Sequence, residues 1–507
     1  MKKIFLSLLL VGGLLSSCDM DKKPIGSLDD STAIQSVNDC LRFRNGIYSS
    51  MRSLSTGGYV SYPEIQMDMF QGLISNGNRI GNIANGNILS NDGDIESIWA
   101  GLYTRINSVN YFLEKVDAVL ANPNLDEAGK ANINRYIGEA KFARAYYYYW
   151  LMDHFCASYT AENADAPAMG LPIVTVYNPT GDRSKYPGRS TQNETYALIE
   201  QDLAEAYEAL AAYEQIDASA CTPNSAYVCT NTINALQARI ALLKGEYATA
   251  IIEAEEVIGS GAYTLANLDN YINIWTNDTN NEIIFRPFAD VNEVSGLSST
   301  GSAWLSIYGD NADYIPSFEA LAMYDNGDVR FEAFFNVWNL VINGVGMPAY
   351  VFYKYPGNEA LKTGSAMNLM NMPKPFRLSE QYLIIAEAAA ALGQNDKAND
   401  ALNELRKNRI AGYTETTYAG QELILQVREE RTKELIGEGF RMSDLRRWGI
   451  GFRRSATHPE NPAIEDVLVV AGKDVSYAAG DHRFVWPIPS SEMETNPQLE
   501  GQQNPGY

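Results

Sequence analysis

The run Ala238-Arg239-Ile240-Ala241-Leu242-Leu243-Lys244-Gly245-Glu246-Tyr247-Ala248-Thr249-Ala250 returns in outline as Ala386-Glu387-Ala388-Ala389-Ala390-Ala391-Leu392-Gly393-Gln394-Asn395-Asp396-Lys397-Ala398. Counted from Gly245 in the first and Gly393 in the second, alanines stand at −7, −4 and +5 in both. Each copy predicts a helix, a tight turn at the glycine and a second helix folding back. Small side chains at the repeated offsets let the paired helices approach closely. Two such pairs point to stacked helical units that share a core.

The helical pattern extends outward from both copies. Trp99, Tyr103, Ile106, Asn110 and Leu113 recur at intervals of four, three, four and three, which lines them along one helix face and makes Trp99 a core residue. Ala140, Ala143 and Ala145 lead into Tyr146-Tyr147-Tyr148-Tyr149-Trp150. Consecutive rings cannot share one side of a helix, so this helix is expected to be central and packed on several faces. Between Ala266 and Phe376 the helical period lapses. Gly, Asn, Ser and Pro punctuate short aromatic segments there, such as Trp304-Leu305-Ser306-Ile307-Tyr308 and Ala349-Tyr350-Val351-Phe352-Tyr353. A second irregular stretch, rich in Gly and Asn, runs from Thr56 to Asp94. The fold class is therefore mainly α, with helical pairs whose spacing resembles the tetratricopeptide repeat, a solenoid broken by a long loop and short-strand insert. No Ser/Gly- or Pro-rich linker divides the chain, so a single body is expected over 32–507. Its helical frame covers about 32–265 and 377–450, its irregular portions about 56–94 and 266–376, and its tail 451–507.

The N-terminus carries a different signal. Met1-Lys2-Lys3 precedes an apolar run from Ile4 to Leu15, too short to span a bilayer, and then Leu15-Ser16-Ser17-Cys18. This predicts an export signal over 1–17. Leu-Ser-Ser-Cys resembles the bacterial lipobox, which implies cleavage before Cys18, acylation there, and a lipidated tether over 18–31. At about 0.8 kcal/mol per buried methylene, two or three acyl chains anchor a protein almost permanently. Beyond the signal no stretch approaches twenty apolar residues. The 507 residues hold 39 basic and 62 acidic side chains, a net charge of −23, with no long basic run. That argues against nucleic acid as a partner, because a phosphate backbone demands clustered Lys and Arg.

The remaining chemistry is sparse. Cys221 and Cys229 bracket a short polar loop that can close as a disulfide in an oxidising compartment, whereas Cys40 and Cys156 fall in helical patterns and read as buried thiols. Neither the cysteines nor His154, His458 and His482 have metal-ligand spacing, so no metal and no cofactor are expected. No Gly-x-Ser-x-Gly elbow or metalloprotease pattern appears, and no catalytic residue is assigned. The charged run from Arg428 to Glu438 contains the i, i+4 pair Glu429 and Lys433 and reads as a solvated or salt-bridged helix face. Asn91-Asp92-Gly93-Asp94 lacks the EF-hand register and reads as a turn.

Five blocks in order then carry a resemblance. They are Ala143-Arg144-Ala145-Tyr146-Tyr147-Tyr148 with Gly170-Leu171-Pro172-Ile173; Ala238 to Tyr247 with Gly259 to Leu265; and Arg377 to Arg409. Next come Glu430-Arg431, Glu434-Leu435, Glu438-Gly439, Arg441, Asp444-Leu445 and Arg447-Trp448-Gly449. The last is the tail Pro487-Ile488-Pro489, Glu492, Asn496-Pro497 and Gln503-Asn504-Pro505-Gly506-Tyr507. Together they resemble the SusD/RagB outer-membrane lipoproteins of Bacteroidetes. The resemblance implies a bundle built on tetratricopeptide-like pairs, lipid-anchored in the outer membrane and facing the cell exterior. It also implies a SusC-like TonB-dependent transporter as partner and a glycan as ligand, with peptides as the alternative in a RagB-like branch. A surface glycosidase and a protein-binding helical scaffold are the other readings. The acids at Asp19 and Asp21 fit the surface-export signal that this resemblance implies.

Sugar recognition suits aromatic rings, on which the C–H face of a pyranose packs, with amides and carboxylates taking the hydroxyls. Trp150, Trp448, Trp486 and Trp275 fall in scaffold blocks or beside them and are assigned to packing. Trp304, Trp338, Tyr308, Tyr59 and Tyr62 fall in the irregular stretches and are the expected ligand contacts.

Overall fold

The computed structural model describes residues 33–74, 79–293, 299–306, 311–342, 344–365, 367–454 and 475–507. Cys18, the signal over 1–17, the tether over 18–31 and Tyr308 lie outside them.

Polar side chains start the long helices. Ser36, Asp92 and Asp126 cap α1 (Val37–Ser53), α3 (Gly93–Leu120) and α4 (Glu127–Phe155) by accepting backbone N–H groups. The stretch 91–94, expected to be a turn, is instead a helix start: Asp92 is the cap, and Gly93 and Asp94 already belong to α3. Thr191 and Glu194 form a capping box at α5 (Gln192–Glu214). Between α1 and α3 lies α2 (Gly58–Ile65), an ordered helix inside the stretch expected to be irregular. It begins after Gly57, whose φ of 55° turns the chain sharply out of α1.

The two quoted runs fold alike in atomic detail. The first gives α6 (Thr230–Lys244) and α7 (Tyr247–Gly259), the second α8 (Leu378–Ala391) and α9 (Asn395–Lys407). Gly245 and Gly393 sit at φ of 74° and 71°, where a Cβ costs about 1–2 kcal/mol. The next N–H closes each turn, from Glu246 to the Ala241 carbonyl at 2.9 Å and from Gln394 to Ala389 at 2.8 Å. One apolar cluster joins the pairs, with Ala238, Ala241, Ala250 and Ala254 against Ala386, Ala389, Ala398 and Leu402. The solenoid broken in sequence is continuous in space. It is followed by α10 (Gly420–Leu435) and α11 (Arg441–Trp448).

Helix α4 runs through the main core, and every side chain from Phe142 to Phe155 is buried. Its Arg144 gives two 2.7 Å bonds to Asp202 of α5 and a third to Asn110 of α3, so a buried cation ties three helices together. The tail closes over the same helix, with the Trp486 N–H donating to the His154 carbonyl at 2.8 Å.

The irregular portions build a second, aromatic core containing Phe70, Tyr271, Trp275, Trp304, Phe334, Phe352 and Tyr355. Short strands stitch it. β1 (Phe70–Gly72) pairs antiparallel with β3 (Tyr314–Pro316), joining the two irregular stretches. β2 (Ile283–Phe285) pairs with β6 (Phe376–Arg377), joining the insert's beginning to its end. β4 (Phe335–Ile342) and β5 (Val345–Phe352) form a hairpin with Phe335 opposite Phe352.

Buried charge clamps insert to frame. Glu434 of α10 pairs with Arg377 at 2.8 Å, Arg409 at 3.0 Å and Arg330 at 3.2 Å; Glu282 holds Arg377 and Arg409 at 2.7 Å. The Glu429–Lys433 pair forms at 2.7 Å, but the run around it is not solvated, since Glu430, Arg431 and Glu434 are all buried. Cys40 and Cys156 are buried free thiols, and Cys221 is bonded to Cys229. Among the described residues no helix is long and apolar enough to cross a membrane.

Candidate functional site

A polar pocket of about 60 Å³ opens on the seam between frame and insert. The frame contributes Tyr149, Trp150 and His154 from α4, the last two one turn apart on the same face, and α2 contributes Tyr59. The insert and the loop after α10 supply Trp275, Lys374 and Phe440. Such an interior takes a few waters or one projecting hydroxymethyl group rather than a whole sugar ring.

The aromatic wall is held rigidly. Tyr59 meets Trp150 edge-on at 5.2 Å, and its hydroxyl accepts from Arg105 at 2.6 Å. The His154 ring lies flat on Trp150, with centroids 3.7 Å apart. Trp275 is surrounded by cations, with Lys354 at 4.4 Å, Arg377 at 5.2 Å and Lys374 at 5.4 Å from its ring centroid. Glu64 fixes the loop that carries Phe440 by accepting the N–H groups of Gly437, Gly439, Phe440 and Arg441. Burial pushes the Glu64 carboxyl up to about 7 against the pull of these donors.

The charged groups at the pocket are already paired. Arg239 makes two bonds to Glu380, at 2.7 and 2.6 Å. Asp153 holds Arg446 at 2.8 Å, and Lys374 holds Asp278 at 2.6 Å. Burial lowers the Lys374 ammonium below its ordinary range, with the Asp278 carboxylate opposing. Glu438 is bound by Lys354 and Arg377; burial raises its carboxyl, but the two cations prevail and leave it below the usual value. Two groups have no partner among the described residues although both are buried, His154 Nε2 and Trp275 Nε1. Burial pushes the His154 imidazole down to about 4, so the ring is neutral. Its Nδ1–H donates to the Trp150 carbonyl at 2.9 Å, which leaves Nε2 as an acceptor. The pocket thus presents aromatic walls and ions already paired with one another, while His154 Nε2 and Trp275 Nε1 are buried behind its surface. That arrangement suits a neutral polyol rather than a charged ligand.

The expected contacts separate. Tyr59 lines the pocket. Tyr62, one turn along α2, points elsewhere and donates to Asp94 at 3.1 Å. Trp338 is half-buried on β4 with its edge to Tyr353 at 5.7 Å. The stacking platform expected at Trp304 is a core residue instead: it is 0% exposed and enclosed by Phe70, Phe352 and Tyr355. Trp150 and Trp275, assigned to packing, both pack and line the pocket. A histidine four residues after Trp150, in an otherwise apolar and aromatic helix, is the one sequence signal that marks this place. Among the described residues the single His/Cys/acid cluster of metal-binding size is Glu214 with Cys221 and Cys229, whose sulfurs are consumed in the disulfide.

Fold and site together define a helical-repeat protein whose irregular portion closes an aromatic, polar-tipped pocket. Residues 45–230 match a family described as starch-binding and associating with the outer membrane, and residues 342–507 match the SusD family. A SusD-like protein of Formosa agariphila is 24% identical, with 95% of each chain covered. A SusD superfamily structure from Bacteroides thetaiotaomicron superposes with a TM-score of 0.75 at 25% identity, covering 93% of this chain and 100% of the other. A structure from Bacteroides vulgatus, described as a candidate sugar binding protein, gives 0.74 at 28%, covering 94% and 100%. The chain belongs to the SusD/RagB family.

Proposed function

We propose that the protein is a cell-surface glycan-binding lipoprotein, anchored in the outer membrane through Cys18, that captures oligosaccharide and delivers it to a SusC-like TonB-dependent transporter. It works by binding, without catalysis. The observation that carries the reading is a pocket lined by Tyr59, Trp150, Trp275 and Tyr355 whose charged groups are already paired with one another. A peptide offers charged termini and a repeating amide, for which the already paired ions of this pocket leave no counter-charge. A neutral sugar end group needs ring faces and no counter-charge. The starch-binding description of the matched family and the sugar-binding description of the Bacteroides vulgatus relative support the same class. Tyr62 and Trp338 are proposed as outer contacts for the remainder of the chain of sugars.

A glycan array followed by calorimetry tests this. Binding to at least one neutral oligosaccharide is expected, weakened about tenfold or more in Tyr59→Ala, with smaller losses in Tyr62→Ala and Trp338→Ala. Retention of peptides and of no glycan transfers the protein to the RagB-like alternative. Release of reducing ends from a bound polysaccharide refutes the non-catalytic reading. Pull-down from mildly solubilised outer membrane is expected to bring a TonB-dependent barrel with the protein, and recovery of the protein alone counts against the delivery role.

A further inference from the structure

A second cleft, of about 530 Å³, lies on the other side of the C-terminal half of α1 and shares no residue with the pocket. Its volume falls in the range of about 300–1,000 Å³ typical of small-ligand sites. Tyr227 and Phe288 line it and are 40% and 53% exposed, although large aromatic rings are ordinarily covered. Tyr227 belongs to the loop closed by the Cys221–Cys229 disulfide and is backed by charge. The Arg44 guanidinium stacks 3.7 Å from its ring centroid and is itself fixed by two bonds to Glu139, at 2.6 and 2.8 Å. Tyr48 meets the same ring edge-on at 5.3 Å, and its hydroxyl accepts from the Val228 N–H at 2.9 Å. The ring is therefore immobilised while part of it faces solvent.

The polar floor is equally fixed. Arg52 is 95% buried, and its Nη1 donates to the Phe288 carbonyl at 2.6 Å and to Glu293 at 2.5 Å. Its Nε–H, buried in the wall of the cleft, has no partner among the described residues. Ser49 and Asn45, one and two turns earlier on α1, add further hydrogen-bonding groups to the same wall.

From this arrangement we infer a second saccharide site, at which one neutral pyranose unit packs on Tyr227 and Phe288 and presents hydroxyls to Asn45 and Ser49, with Arg52 fixing the wall behind them. Neutrality follows from the charges. Arg52 is already balanced by Glu293, so an acidic sugar would meet that carboxylate and a basic ligand would meet the guanidinium. The inference rests on the glycan reading above but on different residues. A chain of sugars engaging both places would gain from effective concentration without further contacts.

Saturation-transfer NMR and calorimetry with maltoheptaose, laminariheptaose and xyloheptaose test it, on wild type, Tyr227→Ala/Phe288→Ala and Tyr59→Ala. Tyr227 is 40% exposed and stacks on Arg44, so the double variant is expected to melt somewhat below wild type, whereas Phe288→Ala alone, at a ring 53% exposed, is expected to melt near it and to show the smaller part of the loss. At least one probe is expected to give saturation transfer that survives in Tyr59→Ala and falls tenfold or more in the double variant. Equal binding by wild type and the double variant overturns the second site while leaving the first intact. Preference of this cleft for an aromatic-rich peptide over all three sugars also overturns it. Failure of every probe on wild type, joined to a blank glycan array, overturns both readings.

Discussion

Replacing His154 by asparagine should remove a pH dependence that the fold imposes. In the folded chain the imidazole is 3% exposed, lies flat on Trp150 and is pushed by burial from 6.5 down to about 4; the neighbouring Asp153 carboxylate opposes this without reversing it. The unfolded chain therefore takes up this proton at higher pH than the folded one. Stability from His154 is complete above about pH 6.5 and is lost as pH falls toward about 4. Between pH 7 and pH 5 the loss amounts to about 2 kcal/mol, because each full step of pH below the unfolded value removes about 1.36 kcal/mol until the folded value is reached. Glu430, Glu434 and Glu438, held below their ordinary value of 4.5, act mainly at lower pH; Glu64, raised to about 7, titrates in the same window with the opposite sign but alike in both proteins, so the difference between them isolates His154. An asparagine amide retains a donor toward the Trp150 carbonyl and does not titrate. Urea unfolding of both proteins at pH 7 and pH 5 is the assay, with the variant expected to lose about 2 kcal/mol less than wild type over the interval. The chain has only three histidines, so the His154 ring resonance is identifiable by its disappearance in the variant. Parallel pH slopes, or an imidazole that titrates at 6.5 or above, would refute the argument that this ring is dry and neutral.

Three further outcomes follow from the fold. Glu434→Ala takes from Arg330, Arg377 and Arg409 a buried carboxylate that all three share, leaving each with fewer partners than its desolvated charge requires, and should cost about 3–5 kcal/mol. At roughly 2.1 cal/mol/K of unfolding entropy per residue, that lowers the melting temperature by about 3–5 °C in calorimetry, whereas Glu429→Ala at the half-exposed pair should change it by less than about 1 °C. Removing the Cys221–Cys229 bond by double serine substitution releases an eight-residue separation and should cost about 2.5 kcal/mol in urea unfolding, with weakened sugar contact at Tyr227 and none lost at Tyr59. Gly393→Ala forces a Cβ into the left-handed turn at φ of 71° and should cost about 1–2 kcal/mol, although the space around it is open.

The helical frame was legible because its information is local. Glycine at the end of an alanine-spaced helix specifies a turn wherever it occurs, and Gly245 and Gly393 behave alike although the insert separates them. The insert was legible only as a lapse of that code. Its three-residue strands carry too few side chains to state a register, and β1 finds β3 across more than two hundred residues through packing of Phe70 on Trp304 and Phe352. The expectation at Trp304 fails for this reason: a Gly/Asn-rich context marks a departure from helix and does not say whether a second core has formed there. The pocket escaped for the converse reason. Helical spacing puts Trp150 against a neighbour but is silent on whether that neighbour leaves a gap, so a packing residue and a pocket wall look identical in sequence. Tyr59 stood out because it lies outside the scaffold blocks, even though its own segment proved to be a helix.

The clamp and the pocket are one electrostatic network. Arg377 joins Glu434 to Glu438, and Glu438 lines the pocket. Lys354 donates to Glu438 at 2.7 Å and to the carbonyls of Glu434 and Ile436, while its ammonium lies over Trp275, whose indole N–H is unused. Ion pairs of this kind are weak sources of net stability, because desolvation consumes most of the attraction, but they are severe when mispaired. Each arginine here accepts one arrangement of the insert against the frame and penalises the others by several kcal/mol. The position of Trp275 relative to His154 is set by that choice, since one lies on the insert and the other on α4. A binding site built where two cores meet needs such a device, because apolar packing alone tolerates small slides that would change the spacing of its aromatic walls. Loops at the mouth can then vary in sequence without disturbing the spacing of the groups beneath them.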